Sequence, residues 1–282
     1  MQPMTDNRNS SDWATVAICL VVSLTAALVM AHGSYFISQF AHLIFDNPSS
    51  QKLAGIGVGA IWWSGFYTIC LSISLCVSVF KSWLRWPIFL GATLVAGVYP
   101  SFLNGAGYVA WQISALATVS ISFVLLLVTQ CLLGNISAGL PKPKISSQIP
   151  LSDLFSLTFI CSAVTLALVC MKPSDFSMPI LINLFIFIGV ATCVSLPVPI
   201  AAYITFSDLR RKYALLSIIF LLPALATTLY VWADLQFALT FILSQLALGI
   251  LLTALRFRGI RIIPADNKGL HAEHSFGRVR SG

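Results

Sequence analysis

Charge is what this chain has least of. Of its 282 residues only 9% are Asp, Glu, Lys or Arg, while 58% are hydrophobic and the mean hydropathy is +0.91. Soluble domains carry roughly 25% charged residues, so a soluble fold of this composition would leave its surface uncovered. The shortage is sharpest inside the apolar runs, none of which carries Asp, Glu, Lys or Arg in its central turns. A charge at the bilayer centre costs about 2.5–3.5 kcal/mol on insertion scales, and chains keep such residues for proton relays, ion sites and catalysis. Their absence argues against a proton-coupled carrier, a redox pump or an intramembrane protease.

Signature motifs are missing as well. The chain has no H-E-x-x-H, G-x-S-x-G or P-loop, and Gly55 to Gly59 (GIGVG) lies inside an apolar helix pattern with no preceding strand, which removes a nucleotide reading. The seven cysteines, Cys19, Cys70, Cys76, Cys131, Cys161, Cys170 and Cys193, include no C-x-x-C pair. They read as small apolar residues packed between helices. With no nucleophile–base pair and no paired carboxylates, the chain is not expected to be an enzyme, and a lipid-processing enzyme at the cytoplasmic face ranks third among the readings. No cofactor or metal is implied.

What the chain does have is continuous apolar runs. A helix crosses the bilayer core in about 20 residues, and the runs predict an all-α, polytopic transmembrane helical bundle of about eight spans with both termini cytoplasmic. After a polar segment at 1–13, spans are expected at 14–31, 53–80, 87–103, 108–133, 153–171, within 178–212, at 213–232 and at 235–255. The transmembrane domain thus covers 14–255, with 14–133 and 153–255 as two candidate four-helix halves. A Pro- and Lys-containing linker at 134–152 joins them, and a basic, flexible tail follows at 256–282. The first helix continues past Gly33 if Phe36, Phe40 and Ile44 keep their helical spacing.

Orientation rests on the cations. Arg8, Lys81, Arg85, Lys142, Lys144, Arg210, Arg211, Lys212, Arg256, Arg258, Arg261 and the tail residues Lys268, Arg278 and Arg280 fall on one side, against Lys52 and Lys172 on the other. The positive-inside rule makes the rich side cytoplasmic, in a plasma membrane or bacterial inner membrane. A net charge of +7 gathered at helix ends points to the bilayer and its anionic lipid as partners and away from nucleic acid.

Two stretches stand out. From Met178 to Lys212 the first charge is Asp208, so the run is too long to cross straight, and Pro197 and Pro199 predict a kink or break in its last third. The helix over 53–80 places Ala60, Ser64, Thr68, Ser72 and Cys76 four apart, a small-residue stripe that lets another helix approach closely. The stripe reads as a packing face or, with Asn183 and the prolines, as the lining of a solute path. The amides of Gln112, Gln130, Asn183 and Gln245 need partners in hydrocarbon and read as interhelical hydrogen bonds. His32, Tyr35, Gln39, His42 and Asp46 form a polar stripe at the outer end of the first helix. Its imidazoles are separated by about 15 Å of helix, too far to share a metal, so it reads as a solvated face or a docking and pH-sensing surface.

Function is therefore expected from one of two classes. The first is a membrane-embedded subunit, assembly factor or scaffold that acts through helix and tail contacts with a protein partner or a second copy. The second is a permease for a neutral or lipophilic solute, with the helices over 53–80 and within 178–212 along its path.

Overall fold

The computed structural model describes residues 6–44, 48–79, 85–104, 108–133, 135–138, 178–206, 211–232 and 234–263. Almost all of them are helical. In chain order the helices are α1 (Asp6–Leu28), α2 (Ser34–Ile44), α3 (Pro48–Val79), α4 (Arg85–Asn104), α5 (Tyr108–Leu133), α6 (Met178–Ser195), α7 (Pro197–Phe206), α8 (Arg211–Trp232) and α9 (Leu235–Phe257). A single π turn, Val29–Gly33, joins α1 to α2 without a break, so the first helix does run on past Gly33.

Five helical segments among the described residues are long and apolar enough to cross a membrane: Ala14–Gln39, Gln51–Val79, Gln112–Gln130, Ile188–Phe206 and Leu235–Phe257. Pro87–Val98 and Leu221–Val231 are shorter apolar helices. The expected span at 153–171 lies outside the described residues, as do Asp46, Arg210 and the tail from 264 onward.

The long run from Met178 breaks as its prolines require, but earlier than the last third. The break falls at Leu196, between α6 and α7. A proline ring acts on the turn before it, so Pro197 ends the helix one residue ahead of itself. Pro223 sits within α8 without interrupting it.

The core is organised around α3, which packs against α1, α2, α4, α5 and α9. Of its membrane-length window 83% is buried within the bundle, against 17% for the window in α1 and α2. On α1, Leu20, Val21, Leu24 and Leu28 are more than half exposed. Lipid is as apolar as these side chains, so their exposure in a membrane costs nothing that water would charge. Large side chains fill the contact regions: Phe66 and Tyr67 on α3, Phe89 on α4, Phe123 on α5 and Phe241 on α9 are fully buried.

One element departs from the all-α expectation. Strand β1 (Asn135–Ala138) pairs antiparallel with β2 (Ile260–Ile263), Asn135 opposite Ile263 and Ala138 opposite Ile260. The first residues of the expected linker at 134–152 and of the expected flexible tail at 256–282 are thus ordered against each other. Gly259, at φ +87°, makes the turn out of α9 in a conformation that glycine adopts without a Cβ penalty. The β-branched run Ile260, Ile262 and Ile263 then suits a strand. The ladder brings the C-terminal ends of α5 and α9 to one end of the bundle.

Candidate functional site

The stripe on α3 is the first feature to build. Ala60, Thr68, Ser72 and Cys76 are buried and Ser64 is half-buried. Each hydroxyl donates to a carbonyl of its own helix: Ser64 Oγ to Ile61 O at 2.9 Å, Thr68 Oγ1 to Ser64 O at 2.7 Å, and Ser72 Oγ to Thr68 O at 2.8 Å. In a medium without water a hydroxyl needs such a partner, and bonding back one turn supplies it without recruiting another helix. The stripe therefore offers small side chains whose donors are already spent.

Among the described glycines the tightest contact occurs beside the stripe, at Gly65, a position the four-residue spacing did not pick out. Met30, at the π turn, rests on it so tightly that a Cβ at Gly65 would lie 2.0 Å from Met30 Cγ and 3.1 Å from the Ala26 carbonyl. Ser34 Oγ bonds the Met30 carbonyl, and Met30 itself is fully buried. The extra residue of the π turn re-aims the helix at this contact.

The intramembrane amides meet the backbone of neighbouring helices. Gln112 Nε2 on α5 donates to Leu94 O on α4 at 2.9 Å, Gln130 Nε2 to Ser78 O on α3 at 3.4 Å, and Gln245 Nε2 on α9 to Val194 O on α6 at 3.0 Å. The side chain of Asn183 lies outside the described residues.

The broken helix is held from two sides. Pro197 and Pro199 lack the N–H groups that would bond the carbonyls of Cys193 and Ser195. On the α5 side, Ser122 Oγ donates to Ser195 Oγ at 2.8 Å, and Ser195 Oγ donates in turn to Ala191 O at 2.7 Å. On the α9 side, Gln245 holds Val194 just before the break, while Arg256 Nη1 donates to Thr205 O at 2.6 Å in the last turn of α7. Val194 and Thr205 lie about 16 Å apart along a helical rise, and Gln245 and Arg256 are spaced to match. One helix thus braces the end of α6 before the break and the last turn of α7. Neither the serine pair nor this second role of Arg256 is visible in the sequence, where the arginine marks only a basic helix end.

Aromatic packing ties α3 to α9. Trp63 stacks on Tyr67 with ring centroids 5.9 Å apart and meets Phe237 of α9 at 6.1 Å. The Tyr67 hydroxyl is turned toward Ser114 of α5, yet Tyr67 Oη, Thr93 Oγ1, Ser114 Oγ and Ser120 Oγ are buried without meeting hydrogen-bond geometry.

The outer polar stripe is represented by His32, Tyr35 and Gln39, all exposed. His32 sits within the π turn, so its register to Tyr35 is not that of a regular helix. The side chain of His42 lies outside the described residues. Of the topology-setting cations, Arg211 and Lys212 open α8 with side chains outside the described residues, Arg256 is half-buried, and Arg258 and Arg261 are exposed.

Among the described residues no group of three or more His, Cys, Asp and Glu comes together. No protein-family model, curated protein or solved structure matches this chain.

Proposed function

We propose that this chain is a multi-pass membrane protein of about eight spans that works by contact, as a membrane-embedded subunit, assembly factor or scaffold. The observation that carries this reading is how the interior polar groups are spent. Gln112, Gln130 and Gln245 each donate to a backbone carbonyl of another helix, and the hydroxyls of the α3 stripe bond their own helix. The amides join helices and the stripe's donors are spent within α3, so these groups leave a solute little to bind, whereas Tyr67 Oη, Thr93 Oγ1, Ser114 Oγ and Ser120 Oγ stay without a hydrogen bond. The reading of eight spans is supported by α5, α7 and α9 all ending at the same end of the bundle, linked by the strand ladder and by Arg256. With the cation bias, that end is cytoplasmic.

The permease reading keeps one specific support, the break at Leu196, since interrupted helices line many transporter sites. Gln245 ties the neighbouring Val194 carbonyl to α9, as the contact reading expects, while the carbonyls that the prolines free are those of Cys193 and Ser195.

Native mass spectrometry of the protein extracted gently in its own lipids separates the two. A stoichiometric protein partner supports a subunit or scaffold. A lone chain or homo-oligomer carrying a defined small solute supports the permease instead.

A further inference from the structure

The first helix and α3 run antiparallel, and two glycines fix their register. Gly33 lies against Ile61, while Met30 and Ala26 lie against Gly65, so the partner's number falls as the number on α3 rises. Cys76 follows Gly65 by eleven residues, and Cys19 precedes Met30 by eleven. Eleven residues are about three helical turns, or about 16 Å of rise, which returns both cysteines to the contact faces at one height. The structure agrees: the thiols of Cys19 and Cys76 face each other across the α1–α3 contact. One turn closer to Gly65, Ser23 and Ser72 obey the same register. Such small residues let two backbones approach closely, as a disulfide requires, its Cα atoms lying about 4.4–6.8 Å apart.

The surroundings leave the thiols to each other. Ser23 Oγ donates to Cys19 O and Ser72 Oγ to Thr68 O, each at 2.8 Å, so neither hydroxyl competes for a sulfur. Cys19 and Cys76 also belong to the lining of a half-open groove between α1, α3 and α4, and each keeps 4% of its surface. That admits a molecule the size of water and excludes a bulky thiol or protein. Cys70, six residues earlier on α3, is sealed completely and does not line the groove.

We propose that Cys19 and Cys76 form a reversible disulfide clasp between α1 and α3, closed by hydrogen peroxide. One sulfur, as thiolate, attacks a peroxide oxygen; the O–O bond breaks, leaving a sulfenic acid and one water. The second sulfur attacks the sulfenic sulfur, the S–S bond forms, the S–O bond breaks and a second water leaves. The two thiols lose two electrons, the peroxide gains them, and both thiol hydrogens depart in the waters. A dithiol reductant reopens the clasp by exchange. Only 17% of the membrane-length window in α1 and α2 is buried, against 83% for α3, so the link ties a loosely held helix to the best-packed one. This depends on helix packing alone and on neither the subunit nor the permease reading.

The test uses the full chain purified in detergent, treated with hydrogen peroxide, denatured with N-ethylmaleimide and weighed intact. The reduced chain takes up seven maleimides, one per cysteine, and the peroxide-treated chain is expected to take up two fewer until dithiothreitol restores them. Peptide mapping without reductant finds Cys19 joined to Cys76. Cys19→Ser and Cys76→Ser, which keep the side-chain size, each abolish the link, and Cys70→Ser does not. Moving one cysteine by a turn, Ser72→Cys together with Cys76→Ser, slows linking severalfold. The linked chain melts higher than the reduced one, a rise absent from Cys76→Ser. Full maleimide uptake after peroxide, a link to a different cysteine, or equally fast linking from position 72 overturns the pairing. A link that leaves the thermal midpoint unchanged overturns the clasp.

Discussion

At the scale of single residues, the interior is tuned by close approach and by the partners its amides find on neighbouring helices. Gly65 is the sharpest case. Met30 is flexible enough to move aside, but the Ala26 carbonyl, 3.1 Å from a built Cβ, is backbone and is not. Gly65→Ala should therefore destabilise by about 1–3 kcal/mol through overpacking, read as a lowered thermal midpoint in detergent. Met30→Ala in the same chain should recover part of that loss, since it removes the nearer of the clashing atoms. Gln245→Leu tests the other theme. It strips the bond to Val194 O and should cost about 0.6–1.7 kcal/mol, the range measured for interhelical hydrogen bonds in a membrane. A midpoint equal to wild type would show that the Val194 carbonyl finds another donor.

At the scale of elements, the helix boundaries follow local sequence closely. The span expected at 108–133 is α5, Tyr108–Leu133, and the prolines of the long run do interrupt it. The ladder between β1 and β2 was not legible in the same way. Each strand is four residues long, too short to carry a period, and its partner lies more than a hundred residues away. Only the meeting of α5 and α9 brings the two together. Cysteines placed at Ser137 and Arg261, which are directly opposite, should form a disulfide readily in an otherwise cysteine-free chain. The pair Asn135 and Arg261, offset by two residues, should cross-link much more slowly. Equal rates would mean that the register is wrong. Cross-linking in the presence of reductant-quenched controls gives the readout directly.

At the scale of the whole molecule, the chain is a bundle arranged round α3, with polar side chains turned to joining helices. If it spans the membrane as proposed, it should resist extraction at alkaline pH and require detergent for release. Reporter fusions should also report opposite sides for an insertion at Asp234, in the turn before α9, and a fusion after Arg258, in the turn behind it. Finding both reporters on one side would remove α9 as a span and with it the cytoplasmic placement of the strand ladder.

The sequence by itself determined the class of protein and its helical segments. Hydrophobic runs of membrane length and the scarcity of charge are properties of composition and local order, and Pro197 removes a donor from the turn before it, although Pro223 leaves α8 uninterrupted. It also marked Gln112, Gln130 and Gln245 as residues in need of partners, because an amide in hydrocarbon has no water to turn to. What only the tertiary structure decided was who those partners are. The Leu94, Ser78 and Val194 carbonyls, the Ser122–Ser195 pair, the Arg256 brace on α7, the Met30–Gly65 contact and the groove beside Cys19 and Cys76 all join residues distant in sequence. Their meeting depends on which helix packs on which, at what height and with what rotation. No periodicity along one chain encodes those three quantities, because they are set by the fit between surfaces.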